Sequence, residues 1–108
     1  MAVVIRSYQA ADYQAVRTLI ESVLTEFGFT FALGGLQQDL NEISARYGTQ
    51  RAGFWVAEAA GSLVGTVAIR PKAERTCELK RLYLAPQWRG QGLGQTLYAH
   101  AESFARQA

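Results

Sequence analysis

The chain has 108 residues, room for one domain, and its 49% hydrophobic and 19% charged residues are the balance of a folded globular protein rather than a disordered one. A net charge of +2 does not argue for nucleic acid, and no apolar run reaches the ~18 residues needed to span a bilayer. A single cysteine, Cys77, excludes an internal disulfide, and one cysteine with one histidine excludes a zinc site of the usual Cys/His type, so a reducing cytoplasm with no metal is the expectation.

The start, Met1-Ala2-Val3-Val4-Ile5-Arg6, lacks the charged-then-apolar order of a signal peptide. Residues 3–7 are β-branched and extended in type, a first strand. Asp12 is placed to cap a helix whose apolar face is Tyr13, Val16, Leu19, Ile20, Val23, Leu24 and Phe27, with Gly28 ending it. Residues 28–35 then read as a glycine-flanked loop carrying Phe29 and Phe31, which either plug the core or line a contact surface. A second helix follows, with Leu36, Leu40, Ile43 and Tyr47 on one face and Gly48 closing it.

Residues 53–59 and 62–70 form a hairpin about Ala60-Gly61, which puts Trp55 in the hairpin core, and Pro71 is expected to end the second strand. Residues 76–84 are the next strand. Its apolar pairs, Cys77 with Leu79 and Leu82 with Leu84, are one residue out of phase. A β-bulge near Lys80-Arg81 restores both pairs to one side; a strand buried on both faces needs none. A last helix begins near Gly92, with Leu93, Leu97, Ala101 and Phe104 in one stripe and His100 beside it at the surface. The order is β-α-α-β-β-β-α, an α+β fold: a mostly antiparallel sheet flanked by helices in α/β/α layers, as one domain over residues 1–108.

The chemistry lies in Leu82-Tyr83-Leu84-Ala85-Pro86-Gln87-Trp88-Arg89-Gly90-Gln91-Gly92-Leu93-Gly94, where a strand ends and a glycine-rich turn opens a helix. Alternate glycines let backbone approach a ligand closely. The unpaired N–H groups of a first helical turn, and its dipole, favour an anion. Arg89 adds a cation, and Trp88 is expected to pack beneath the loop. Neither Gly90 nor Gly92 completes a dinucleotide G-x-G-x-x-G, and no Gly-Lys pair exists for a nucleotide P-loop. The remaining pattern is Arg/Gln-x-x-Gly-x-Gly/Ala, met by Arg89, Gly92 and Gly94.

That pattern, with Glu78-Leu79-Lys80-Arg81-Leu82-Tyr83-Leu84 before it and Pro86 between, resembles the acyl-CoA-binding motif of the GNAT superfamily of N-acetyltransferases. The bland alternative, a turn that only packs a helix on a sheet, leaves Arg89 and the helix-opening glycines unexplained. The resemblance implies acetyl-CoA as cosubstrate. The strip Leu82, Tyr83, Leu84 would bond the acetyl carbonyl and pantetheine arm, and the N–H groups of Arg89, Gly90, Gln91, Gly92, Leu93 and Gly94 would hold the diphosphate. It implies direct transfer of acetyl to a primary amine of a small molecule or protein, with Glu78 as proton acceptor or else merely paired to Lys80 or Arg81. Phe29, Phe31 and Leu36 fall where the family places acceptor-site residues; Arg6 and Tyr8 carry no such signal.

Relatives usually continue past the motif helix with a further strand, helix and hairpin. Lacking these, the chain is expected to expose its motif strand as a sheet edge, as a truncated or proteolysed enzyme foremost, or as a short chain completed by homodimerisation or by a second chain. The competing reading is a non-catalytic CoA-binding or interaction module.

Overall fold

Four strands form one antiparallel sheet in the order β1-β2-β3-β4 in this computed structural model, which describes residues 3–28, 43, 47, 52–73 and 76–107. The strands are β1 (Val4–Ser7), β2 (Gly53–Ala59), β3 (Ser62–Ala73) and β4 (Thr76–Leu84). Helix α1 is Tyr13–Glu26 and helix α2 is Leu93–Gln107. The order of the described elements and the α+β class agree with the sequence reading. Of the second expected helix, Ile43 and Tyr47 are helical and buried; Leu36, Leu40 and Gly48 lie outside the described residues, as do Phe29 and Phe31.

Side-chain alternation along the sheet divides the core in two. Trp55, Ala57, Val67 and Ile69 join Leu93, Leu97 and Ala101 of α2, with Leu19 and Val23 of α1 reaching the same cluster. Phe54, Val56 and Ala68 join Val16, Ile20 and Leu24 of α1, together with Ile43 and Tyr47. β2 is therefore buried on both faces, and the Trp55 ring stands edge-on to Phe104 at 5.0 Å and to the exposed His100 at 5.5 Å.

Three local expectations need correction. Pro71 does not end β3, which continues to Ala73; β2 no longer flanks it there, the last β2–β3 pair being Gly53 with Ile69. A proline at such an unflanked position interrupts little of the sheet. Phe27 belongs to no core and is 61% exposed. Asp12 precedes α1 but makes no side-chain cap to it. Its carboxylate instead accepts two bonds from the Arg6 guanidinium, at 2.8 and 2.9 Å, and one from the Gln9 N–H at 2.8 Å. Arg6 also reaches Glu58 at 3.1 Å, so this arginine ties the start of α1 to β1 and β2.

The Arg6 bonds, and then the Gln9 N–H, hold the Asp12 carboxyl below the usual carboxylate range. Such a group stabilises the fold above its unfolded pKa of about 4, and the contribution is lost as pH falls through the folded value. Asp12→Asn is expected to cost about 1–2 kcal/mol at pH 7 and less at pH 3. Urea unfolding at the two pH values measures both; equal losses would contradict the assignment.

Candidate functional site at the strand–turn–helix motif

The motif strand carries the bulge that its phase slip calls for. Register runs from Thr66 opposite Tyr83 to Ala68 opposite Lys80, so Arg81 and Leu82 together oppose Val67. Arg81 takes up the extra residue with φ +56°, a left-handed conformation unusual for a side-chain-bearing residue. Cys77, Leu79 and Leu84 pack against the α2-side cluster as expected. Leu82 does not: it is 38% exposed and faces a cleft.

That cleft has a volume of about 530 Å³ and lies between the end of α1, β4 and the glycine turn. Leu82, Tyr83, Leu84, Arg89 and Gly94 line it from the motif; Val23, Leu24 and Phe27 line it from α1. After β4 the chain makes a 3-10 turn over Pro86–Trp88 and reaches the glycines. Trp88 packs against the core below, as the sequence suggests.

Gly90 and Gly92 have φ of +76° and +85°, and a Cβ on either would meet nothing within 4 Å. These glycines are required by backbone conformation, not by crowding. The Gly92 carbonyl accepts the Thr96 N–H at 3.1 Å, the bond that opens α2. Among the described residues no acceptor takes the N–H of Gly90, Gln91, Gly92, Leu93 or Gly94. Unpaired N–H donors at the positive end of a helix dipole are the arrangement that favours an anion. The Arg89 N–H is not one of them, since it donates to the Pro86 carbonyl at 3.2 Å. Gln91 turns its side-chain amide back to the Gln87 carbonyl at 2.7 Å.

The Arg89 side chain also departs from expectation. Its guanidinium meets the Glu26 carboxylate through two bonds of 2.8 and 2.9 Å, donates to the Leu84 carbonyl at 3.1 Å, and lies 5.2 Å from the centre of the Phe27 ring. Glu26 thereby has its carboxyl pKa lowered and Arg89 its guanidinium pKa raised, each by the other's hydrogen bonds first. Arg89 acts as a strut between the turn and the end of α1. Glu26 and Phe27 escaped the sequence reading because they sit at the far end of an ordinary amphipathic helix. The only signal was that a phenylalanine and a glutamate precede the glycine that ends it.

Glu78 lies upstream on β4, its side chain 40% exposed, and its Oε1 accepts from Arg70 Nε of β3 at 3.3 Å. Its partner is thus across the sheet rather than Lys80 or Arg81. Glu78, Leu79, Lys80, Arg81 and Tyr83 line a second hollow of about 310 Å³. Tyr83 borders both this hollow and the cleft, and its hydroxyl accepts from Arg81 Nη1 at 3.3 Å.

The bulged strand and the start of α2 thus meet at one cleft, which Leu82, Leu84, Arg89 and Gly94 line together. The acetyltransferase (GNAT) family model matches residues 16–108, and the chain belongs to that family. It is 40% identical over 77 residues to mouse N-acetyltransferase 8, covering 66% of this chain and 34% of the relative. It is 32% identical over 109 residues to the uncharacterized N-acetyltransferase YjgM of Escherichia coli, covering 96% and 65%. The chain thus spans a third to two thirds of the length of these relatives. Its fold superposes on a GNAT-family acetyltransferase from Staphylococcus aureus with TM-score 0.91 at 21% identity, over 98% of this chain and 68% of that one. It also matches N-acetylglutamate synthase from Neisseria gonorrhoeae, a structure with coenzyme A and N-acetyl-glutamate, with TM-score 0.69 at 28% identity over 98% and 23%.

Proposed function

We propose that this chain is the coenzyme-binding part of an N-acetyltransferase that takes acetyl-CoA and transfers acetyl directly to a primary amine of a small molecule or protein. The observation that carries the reading is the row of unpaired N–H groups at residues 90–94, a turn whose last glycine, Gly94, lines the same cleft as the apolar strip of Leu82 and Leu84. A diphosphate suits the first and a pantetheine arm the second. The N. gonorrhoeae relative, 28% identical, binds coenzyme A. A further strand on the outer edge of β4, from the same protein or a second copy, would add the far wall of the cleft. The lone Cys77 suits a reducing, cytoplasmic setting.

Transfer needs a neutral amine and a stabilised oxyanion. The amine nitrogen attacks the thioester carbonyl; the N–C bond forms and the C–S bond breaks. An ammonium acceptor gives up two protons in all, one to a base before attack and one that ends on the departing thiolate. Glu78 is the proposed base, directly or through water, because it shares with Tyr83 a hollow that adjoins the cleft. A backbone N–H at the bulge is the proposed donor to the oxyanion, a contribution of about 3 kcal/mol where measured in other enzymes.

Acetyl-CoA titration with thiol detection across an amine panel tests the reading. CoA release that depends on an amine is expected; binding without release would favour a non-catalytic module. Glu78→Gln is expected to lower kcat about a hundredfold and to flatten its rise with pH, with coenzyme affinity retained. Unchanged kinetics would remove Glu78 from the mechanism.

A further inference from the structure

Among the described residues only two polar side chains are buried, Asp12 and Thr66. Asp12 is accounted for by Arg6. Thr66, with no exposed surface, stands in β3 between Gly65 and Val67, where a valine would fill nearly the same volume and suit a strand at least as well. Its hydroxyl therefore needs a reason other than packing.

The reason is at the bulge. Thr66 Oγ1 donates to the Arg81 carbonyl at 2.8 Å. Arg81 is the left-handed residue of β4, and the β3–β4 register skips immediately after the Thr66–Tyr83 pair. A side-chain-bearing residue keeps such a backbone only where its surroundings over-determine it. Thr66 supplies a side-chain donor at the place where the ladder of backbone bonds is interrupted. The next residue along, Leu82, is the one that turns into the cleft.

We propose that Thr66 is a positioning residue: its hydroxyl pins the β4 bulge, and through it the strip of residues 82–84, in the geometry that receives the acetyl carbonyl. The role toward acetyl rests on the acyl-transfer reading above. The pin itself does not. The diphosphate grip at residues 90–94 is built from a different segment, so loss of the hydroxyl acts on the acetyl end of the ligand and spares the phosphate end.

Thr66→Val removes the donor at nearly constant volume, and Thr66→Ser keeps it. Amide hydrogen exchange on ligand-free protein, CoA affinity by calorimetry and kcat with acetyl-CoA are compared in the full chain. In Thr66→Val, exchange at residues 81–83 is expected to quicken at least tenfold and kcat to fall about tenfold, while the Kd for CoA stays within about twofold. Thr66→Ser is expected to restore exchange and kcat. Should Thr66→Val not fold, Thr66→Ala takes its place and is read in the same way. Wild-type exchange and kcat in the variant lacking the hydroxyl would overturn the proposal. So would a Thr66→Ser variant as impaired as Thr66→Val, or a CoA affinity that falls in step with kcat. Wild-type protein that binds no CoA would overturn the acyl-transfer reading and the role toward acetyl with it, while the exchange data still decide whether the hydroxyl pins the bulge.

Discussion

Gly92→Asp is expected to abolish useful coenzyme binding in a protein that still folds. A Cβ at this position meets nothing within 4 Å, so the new side chain displaces no neighbour. Forcing φ +85° on a non-glycine residue costs about 1 kcal/mol, and an acidic side chain at a helix N-terminus returns part of it. The same carboxylate faces the diphosphate. One unit charge against another at about 5 Å, at an effective dielectric of about 20, is roughly 3 kcal/mol of repulsion, or about a hundredfold in Kd. Calorimetric titration with CoA and urea unfolding of the same sample separate the two effects. A loss of affinity below about fivefold would mean that the phosphates do not lie at this turn.

Leu97→Ala is expected to be the most destabilising single truncation in α2. Leu97 has no exposed surface. Its Cδ1 would lie 3.0 Å from a Cβ built on Gly65, and Leu84 Cδ2 would lie at the same distance, so both leucines fill the space left by that bare backbone. Removing one leaves a cavity between helix, sheet and the strip that lines the cleft. Buried leucine truncations cost about 2–5 kcal/mol, and the absence of room for backbone collapse puts this one near 3. The urea midpoint should fall with an unchanged m-value. A loss under about 1 kcal/mol would show that α2 is not a principal support of the sheet.

The motif was legible in the sequence because its physics is local. The glycines at 90 and 92 announce positive φ, and the strand–proline–glycine–helix order announces a glycine turn that opens a helix. The bulge was legible too, from the slipped phase between Cys77 with Leu79 and Leu82 with Leu84, and it falls within a residue of where that slip puts it. Leu82 was misplaced because a phase argument assigns faces without knowing that Arg81 rotates the chain between them.

What the sequence did not disclose is the pairing of charges. Arg89 looks like a phosphate ligand when read beside its glycines, yet its partner Glu26 lies 63 residues earlier. Arg70 is eight residues from Glu78 and meets it across a strand pair that only the β3–β4 register defines. Asp12 was assigned to the helix that follows it, and Arg6 claimed it from the strand before. Charged side chains are long, and several backbones can bring a given pair together, so spacing alone cannot choose among them. Thr66 is a different case. Nothing in its neighbours marks it, and it acquires meaning only when the left-handed carbonyl of Arg81 comes to lie above it.

The Arg89–Glu26 strut changes how the site is understood. With the Arg89 guanidinium paired to Glu26, the proposed grip on an anion is assigned to backbone dipoles that carry no net charge. Salt dependence of coenzyme binding should then be shallow compared with a site built from free arginines and lysines.

The proposed function places the diphosphate of acetyl-CoA on the amide hydrogens of residues 90–94. Amide-resolved NMR titration of 15N-labelled protein with CoA tests it most directly. Saturable shifts are expected that are largest at Gly90, Gly92 and Gly94 and reach Leu82 and Leu84 along the cleft. Saturation with those glycine signals unmoved, or no saturation at millimolar CoA, would contradict it.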